Sequence, residues 1–259
     1  MTKLPDHRQM HLKNDWHKDF FDNSFYNPAS PEALQRAPQE ALFVLRQLKL
    51  KAGASLLDLC CGPGRHAVEF AKKGLEVTAY DFSKEYLKEA AARAKKRKVT
   101  LRLTRGDMRS LRYKNKFDAI VNLFTSFGYF QKYSDDLKVL KGVARGLKPG
   151  GLFMLDIVHG EFVRKNFKPR SWSKLPDGSY HLTEVILKNH GAFNTWTILK
   201  TGKKPASRSF YTRLYDKKIM TAALKKAGLK PLKFWGDFKG SQLNQKRNRL
   251  LVLAAKTGK

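Results

Sequence analysis

Cysteine is almost missing from this chain. Its 259 residues hold two, Cys60 and Cys61, and they are adjacent. Neighbouring cysteines staple nothing together, so a disulfide scaffold is excluded, and the pair does not match a zinc knuckle. The seven histidines show no paired ligand spacing, so no metal is expected. Long apolar runs are missing too. No stretch of about 18 apolar residues exists, which excludes a spanning helix and membrane partners of that kind. The first twenty residues lack the apolar block of a signal peptide. A reducing, cytoplasmic location is therefore the expectation. Acids are scarce: 22 Asp+Glu stand against 52 Lys+Arg, a net charge of +30. The hydrophobic content of 42% and aromatic content of 12% are nevertheless ordinary, so the charge does not mark disorder. The chain is long enough to bury a full core.

The positive charge is uneven. Residues 93–116 hold 11 Lys/Arg and one acid, Asp107. Residues 200–259 hold 17 Lys/Arg and two acids, Asp216 and Asp237. Such segments read either as an electrostatic footprint for RNA or another anion, or as a solvated surface. Neither contains a nucleic-acid-binding module, so nucleic acid is not the favoured partner. The run 95–98 closes a predicted helix, where cations complement the helix dipole.

Periodicity divides the chain simply. Residues 1–50 carry an aromatic cluster (Trp16, Phe20, Phe21, Phe25, Tyr26) and two predicted helices. One starts at Ser30-Pro31-Glu32; the other starts at Pro38 with Leu42, Leu45 and Leu48 on one face. Residues 51–158 alternate strand and helix. Strands are predicted at 55–59, 75–80, 99–104, 117–123 and 152–158, and helices at 64–73, 83–98 and 135–147. That rhythm predicts a doubly wound α/β fold, with a mostly parallel sheet and helices on both faces. Residues 176–215 break the rhythm. Three β-rich stretches, 180–188, 193–200 and 207–215, suggest an antiparallel insertion. Residues 216–259 return to a helix and two closing strands. Without repeats or a low-complexity linker, the whole reads as a single domain.

The informative stretch is Leu56-Leu57-Asp58-Leu59-Cys60-Cys61-Gly62-Pro63-Gly64-Arg65-His66. It places glycines at the end of the first predicted strand and opens a helix, so that backbone N–H groups approach a ligand closely. Asp81 ends the second predicted strand, 19 positions beyond Gly62, the distance at which an acid commonly binds a ribose diol. An adenosine-containing cofactor is implied, and this spacing alone leaves a dinucleotide open. Four further segments narrow the reading. Tyr80-Asp81, Gly106-Asp107-Met108, the strand 117–122 and the turn Leu147-Lys148-Pro149-Gly150-Gly151 follow in order. Together the five resemble the class I S-adenosylmethionine-dependent methyltransferases, tightly over about residues 50–158. Cys60 stands where that family usually has glycine. The stretch 122–130 resembles a bacterial small-molecule branch.

The resemblance implies a seven-stranded Rossmann-like sheet and S-adenosyl-L-methionine as cofactor. It implies contacts from Asp58, Cys60, Gly62, Gly64, Arg65, Asp81, Phe82, Asp107, Met108, Asn122 and Leu123, with Tyr26 and Trp16 as a lid. Gly62 and Gly64 would approach the methionine moiety, Asp81 the ribose, Asp107 the adenine amino group and Met108 the ring face. Asp58 would orient the loop or reach the ammonium group, and Arg65 the carboxylate. Each residue also has a plainer role: turn, cap or core. Acceptor-pocket candidates are Phe127, Tyr129, His159, Arg213 and Tyr215. A general base, if one is used, is Tyr129 or His159. No covalent catalyst is expected, since a sulfonium already activates the methyl group and alignment does the rest. Three functions compete: methyl transfer to nitrogen or oxygen of a small molecule, methylation of RNA through the basic surface, and non-catalytic cofactor binding. The first is favoured, and oligomeric state is left open.

Overall fold

The structure is a computed structural model of the chain; it describes Leu12, residues 16–21, Phe25, residues 28–188 and residues 190–257. In chain order the elements begin with α1 (Trp16–Phe20), α2 (Pro31–Leu48), β1 (Ser55–Leu59), α3 (Arg65–Ala71), β2 (Glu76–Asp81) and α4 (Lys84–Lys96). There follow β3 (Arg102–Arg105), β4 (Phe117–Asn122), α5 (Tyr133–Gly146), β5 (Leu147–Val158) and α6 (Gly160–Lys165). The chain ends in β6 (Arg170–Lys174), β7 (Tyr180–Lys188), β8 (Gly191–Leu199), β9 (Ala206–Arg213), α7 (Lys217–Lys226), β10 (Leu229–Trp235) and β11 (Arg249–Lys256).

The main sheet has seven strands in the order β10-β11-β5-β4-β1-β2-β3. Every paired neighbour is parallel except those of β11, which runs antiparallel to both β5 and β10. Successive residues of the central strands point to opposite sides and are apolar on both. Leu57, Ile120, Phe153 and Val252 pack with Val139, Leu140 and Leu224 of α5 and α7. Leu56, Val121, Met154 and Leu251 pack with Val44, Leu48 and Phe70 of α2 and α3. Burial on both faces explains the continuous apolar runs. Each such side chain contributes about 1.5–3 kcal/mol.

Two expectations are corrected here. No separate helix starts at Pro38; α2 runs through it unbroken. Proline gives up one hydrogen bond. The packed stripe of Ala33, Ala37, Ala41, Val44 and Leu48 offsets that loss, whereas Leu42 is exposed. The predicted start of the third strand is also late. The Val99 amide donates to the Ala94 carbonyl at 3.1 Å, closing α4, and β3 begins only at Arg102.

The insertion is a second, antiparallel sheet of four strands, β6-β7-β8-β9, one more than expected. Its extra strand, β6, is exposed along its whole length and rich in Ser, Lys and Arg, so no alternation announced it. α1 lies against this sheet: the Phe20 ring is 4.6 Å from Phe210 and 5.4 Å from Trp196. Among the described residues no helix is long and apolar enough to cross a membrane.

Candidate functional site

The order of the sheet reverses between β1 and β4, and a crevice opens beyond their C-terminal ends. Open α/β sheets bind ligands at such a point. A cavity lies there. The loop after β1 forms one wall, the ends of β2 and β3 a second, residues 123–130 after β4 a third, and α1 with Pro28 covers it.

The loop after β1 is built from left-handed backbone: Cys60, Gly62 and Gly64 have φ of 61°, 54° and 76°. The Gly62 amide donates to Asp81 Oδ2 at 2.9 Å, and an added Cβ there would meet nothing nearer than Pro28 at 3.8 Å. Gly62 is therefore open toward the cavity. Gly64 is not among the lining residues. A Cβ on it would stand 2.8 Å from the Ala90 Cβ, so its glycine is needed to seat α3 on α4.

Asp81 is buried at the cavity wall, and burial pushes its carboxyl upward. Its Oδ1 accepts from the Ser83 amide at 2.9 Å. The Phe82 backbone also bonds this carboxylate; with about four acceptor sites, it keeps acceptor capacity for a ligand hydroxyl. Asp107 caps the short turn Met108–Ser110 and is forked by the Arg109 guanidinium at 2.5 and 3.0 Å. Burial pulls its carboxyl up, but the Arg109 hydrogen bonds outweigh it and hold the group low. Tyr80 Oη donates to the Asp107 carbonyl at 3.0 Å. A Cβ on Gly106 would stand 2.0 Å from that oxygen, so only glycine fits before Asp107. Cys60 Sγ lies 3.5 Å from Met108 Sδ, and burial raises the Cys60 thiol well above its usual range. Phe82 lines the same wall.

Deeper in the cavity sits a charged cluster. Arg65 Nη1 donates to Glu40 Oε2 at 2.7 Å and to the Ala33 carbonyl at 3.2 Å. His66 Nε2 meets the same Glu40 oxygen at 2.7 Å. Burial works against the Glu40 anion, but His66 and Arg65 bring its carboxyl down to about 2. Burial lowers His66, against the opposing hydrogen bond to Glu40. Asp58 is 2% exposed; burial pushes its carboxyl up to about 7, against the pull of Arg65. Two buried atoms of this cluster have no hydrogen-bond partner among the described residues: Asp58 Oδ2 and Arg65 Nη2. Both residues line the cavity.

Several expected site residues stand elsewhere. Asn122 is buried away from the cavity, tying β4 to β1 through Nδ2 and the Leu59 carbonyl at 3.0 Å; Leu123 does line the wall. Phe127 and Tyr215 belong to the core, 5.5 Å apart ring to ring. Arg213 is buried against Asp136, its Nε 2.9 Å from Oδ2, and Tyr215 Oη donates to the same oxygen at 2.7 Å. His159 is 1% exposed, and its Nδ1 lies 3.1 Å from the Arg247 carbonyl. These four acceptor-pocket candidates do not line this cavity; apolar packing, hydrogen bonding or ion pairing holds them behind its wall. Tyr129 does line it, 5.7 Å from Trp16 and 5.6 Å from Phe21. Tyr26 lies outside the described residues. Sequence reasoning missed Glu40 and His66 as members of the cluster. The signal was present for Glu40, a lone acid on the alanine-rich buried stripe of α2. Among the described residues no group of three or more His, Cys, Asp or Glu could hold a metal ion.

The fold is the seven-stranded Rossmann-like fold of solved S-adenosylmethionine-dependent methyltransferases. Residues 56–151 match the family model described as a methyltransferase domain. This match, the methyltransferase relatives and solved S-adenosylmethionine-dependent methyltransferases of the same fold together support a class I S-adenosylmethionine-dependent methyltransferase. It is 26% identical over 239 residues to a putative methyltransferase, YqeM, of Bacillus subtilis, covering 87% of this chain and 94% of that one. It is 33% identical over 103 residues to the dTDP-3-amino-3,4,6-trideoxy-alpha-D-glucopyranose N,N-dimethyltransferase of Streptomyces venezuelae, covering 40% of this chain and 42% of that enzyme. A solved S-adenosylmethionine-dependent methyltransferase of Clostridium acetobutylicum superposes with a TM-score of 0.75 at 21% identity, over 87% of this chain and 92% of that one.

Proposed function

We propose that the enzyme transfers a methyl group to a nitrogen or oxygen atom of a small molecule. The observation that carries this is the aromatic enclosure of the cavity. Trp16, Phe21, Tyr129 and Phe130 line it together, with α1 drawn over the mouth by Phe20 on the insertion sheet. An acceptor must enter that enclosure, which suits a compact molecule with apolar or cationic surface. The similarity to a sugar N,N-dimethyltransferase supports the same class of acceptor.

The residues present fit the donor. S-adenosylmethionine supplies an activated methyl group; the protein supplies binding, alignment and exclusion of water. The unpartnered Asp58 Oδ2 and Arg65 Nη2 are a buried acceptor and a buried donor, the complement of an amino acid's ammonium and carboxylate. Asp81 keeps acceptor capacity for a ribose hydroxyl, and Asp107 with Met108 stands beside it for the base. Tyr129 is the one acid–base candidate from the sequence that remains in the cavity wall.

Calorimetry with S-adenosylhomocysteine tests the donor half. Wild-type protein binds, and Asp81→Ala weakens binding at least tenfold, about 1.4 kcal/mol. A panel of amines and hydroxyl compounds with labelled donor then tests the acceptor half. Absence of donor binding overturns the reading, and methylation confined to RNA would overturn its acceptor class.

A further inference from the structure

We infer that Arg249 and Asp156 are positioning residues that keep Arg65 aimed into the cavity, acting through Phe124. The inference rests on the proposed donor site. Neither residue lines the cavity, and both lie beyond the matched domain, which ends at residue 151.

β4 ends at Asn122, and the chain must then turn sharply. Phe124 and Thr125 take φ of 61° and 57°. Two consecutive left-handed residues that are not glycine persist only where their surroundings hold them. Asp156 on β5 supplies the hold. Its Oδ2 accepts from the Phe124 amide at 2.7 Å, and its carbonyl accepts from the Thr125 amide at 2.9 Å. Asp156 is 0% exposed, so its charge must be paired. Arg249 on β11 pairs it as a fork: Nε is 2.6 Å from Oδ1, and Nη2 donates to Oδ2.

The same turn places the Phe124 ring against two guanidiniums. Arg65 Cζ lies 4.3 Å from the ring centroid and Arg249 Cζ 5.5 Å. Arg65 is therefore held through Nη1 by Glu40 and the Ala33 carbonyl and through its flat face by Phe124, while Nη2 has no hydrogen-bond partner among the described residues. Both of those hydrogen bonds are made by Nη1, so they anchor one nitrogen and leave the plane of the guanidinium to be set elsewhere. The aromatic face sets it, because cation and ring attract face to face. Loss of the Arg249 fork releases the Asp156 carboxylate, then the Phe124 turn, then the Arg65 plane.

Two ligands separate this role from general damage. S-adenosylhomocysteine carries the amino-acid end that Arg65 would meet; 5′-methylthioadenosine lacks it and keeps the adenosine. For Arg249→Met the expected result is a loss of about tenfold or more in affinity for S-adenosylhomocysteine, with 5′-methylthioadenosine within about twofold of wild type. Arg249→Lys keeps the charge without the fork and gives an intermediate loss on the first ligand alone. It also carries the comparison if the methionine variant does not fold. Equal weakening of both ligands, or of neither, overturns the inference. Wild-type protein that binds neither ligand instead overturns the donor site itself.

Discussion

At the residue scale the most informative group is Asp58. An ordinary aspartate ionises near 3.8, and burial lifts this one to about 7. Between those values the folded protein holds a proton that the unfolded chain has lost. Stability therefore falls as pH rises through that window. A donor ammonium reverses the preference, since it favours the Asp58 anion. Below about pH 7, binding S-adenosylhomocysteine is expected to release close to one proton, and affinity rises up to about tenfold per pH unit until about pH 7. Calorimetry in two buffers of different ionisation heat measures the proton directly. Asp58→Asn should abolish the release, and a pH-independent affinity would sink the role. The acids of this site were legible in the sequence because short spacing sets them: a strand end, a glycine turn, a second strand end. Their partners were not. Glu40 reaches Arg65 across 25 positions and Arg249 reaches Asp156 across 93, and periodicity carries no information on pairs so far apart.

At the element scale the insertion sheet braces the cavity from behind through β9, none of whose residues lines it. Arg213, the last residue of β9, does not line the cavity; it bolts the wall segment from behind. Its Nη2 donates to the Gln131 carbonyl at 2.7 Å and its amide to the Gly128 carbonyl at 2.7 Å, on either side of Tyr129 and Phe130. The guanidinium is balanced by Asp136, which is fully buried at the start of α5, and burial raises that carboxyl to about 6. Arg213→Met is expected to cost about 3–5 kcal/mol, because it strands a carboxylate in the interior. An Asp136→Leu/Arg213→Met double variant should recover much of that loss, since well-packed apolar pairs often replace buried ion pairs without penalty. Urea melts of the three proteins decide it; a mild single variant would mean that Tyr215 alone supports Asp136. The elements themselves were largely readable. Strands buried on both faces gave continuous apolar runs, and Ser30 and Ser83 announced the helix starts that they cap. The unread pieces were β6, an edge strand whose residues are all exposed, and the passage of α2 through Pro38, where tertiary packing overrides local preference.

At the scale of the whole molecule the charge of +30 contrasts with a cavity where three acids stand beside two cations, Arg65 and Arg109. Asp58, Asp81 and Asp107 form a local concentration of acids in a chain that has few, so the binding crevice differs from the rest of the basic molecule. Folding brings the unbalanced cations closer than they are in the extended chain, and their mutual repulsion opposes the compact state. Salt screens that repulsion over about 30 Å at 0.01 M and about 10 Å at 0.1 M. Surface ion pairs such as Lys138–Asp135 and Lys200–Asp177 are screened as well, but exposed pairs contribute only about 0–1 kcal/mol each. With 30 more cations than acids, repulsion should dominate. The melting temperature is therefore expected to rise as sodium chloride goes from about 0.01 to about 0.3 M, a range over which screening grows steeply. The same titration separates the two meanings of the charge. A solvated surface gains stability with salt, and non-specific binding to nucleic acid falls steeply with it, leaving S-adenosylhomocysteine affinity little changed. A melting temperature that falls with salt would mean that the ion pairs, few as the acids are, outweigh the repulsion.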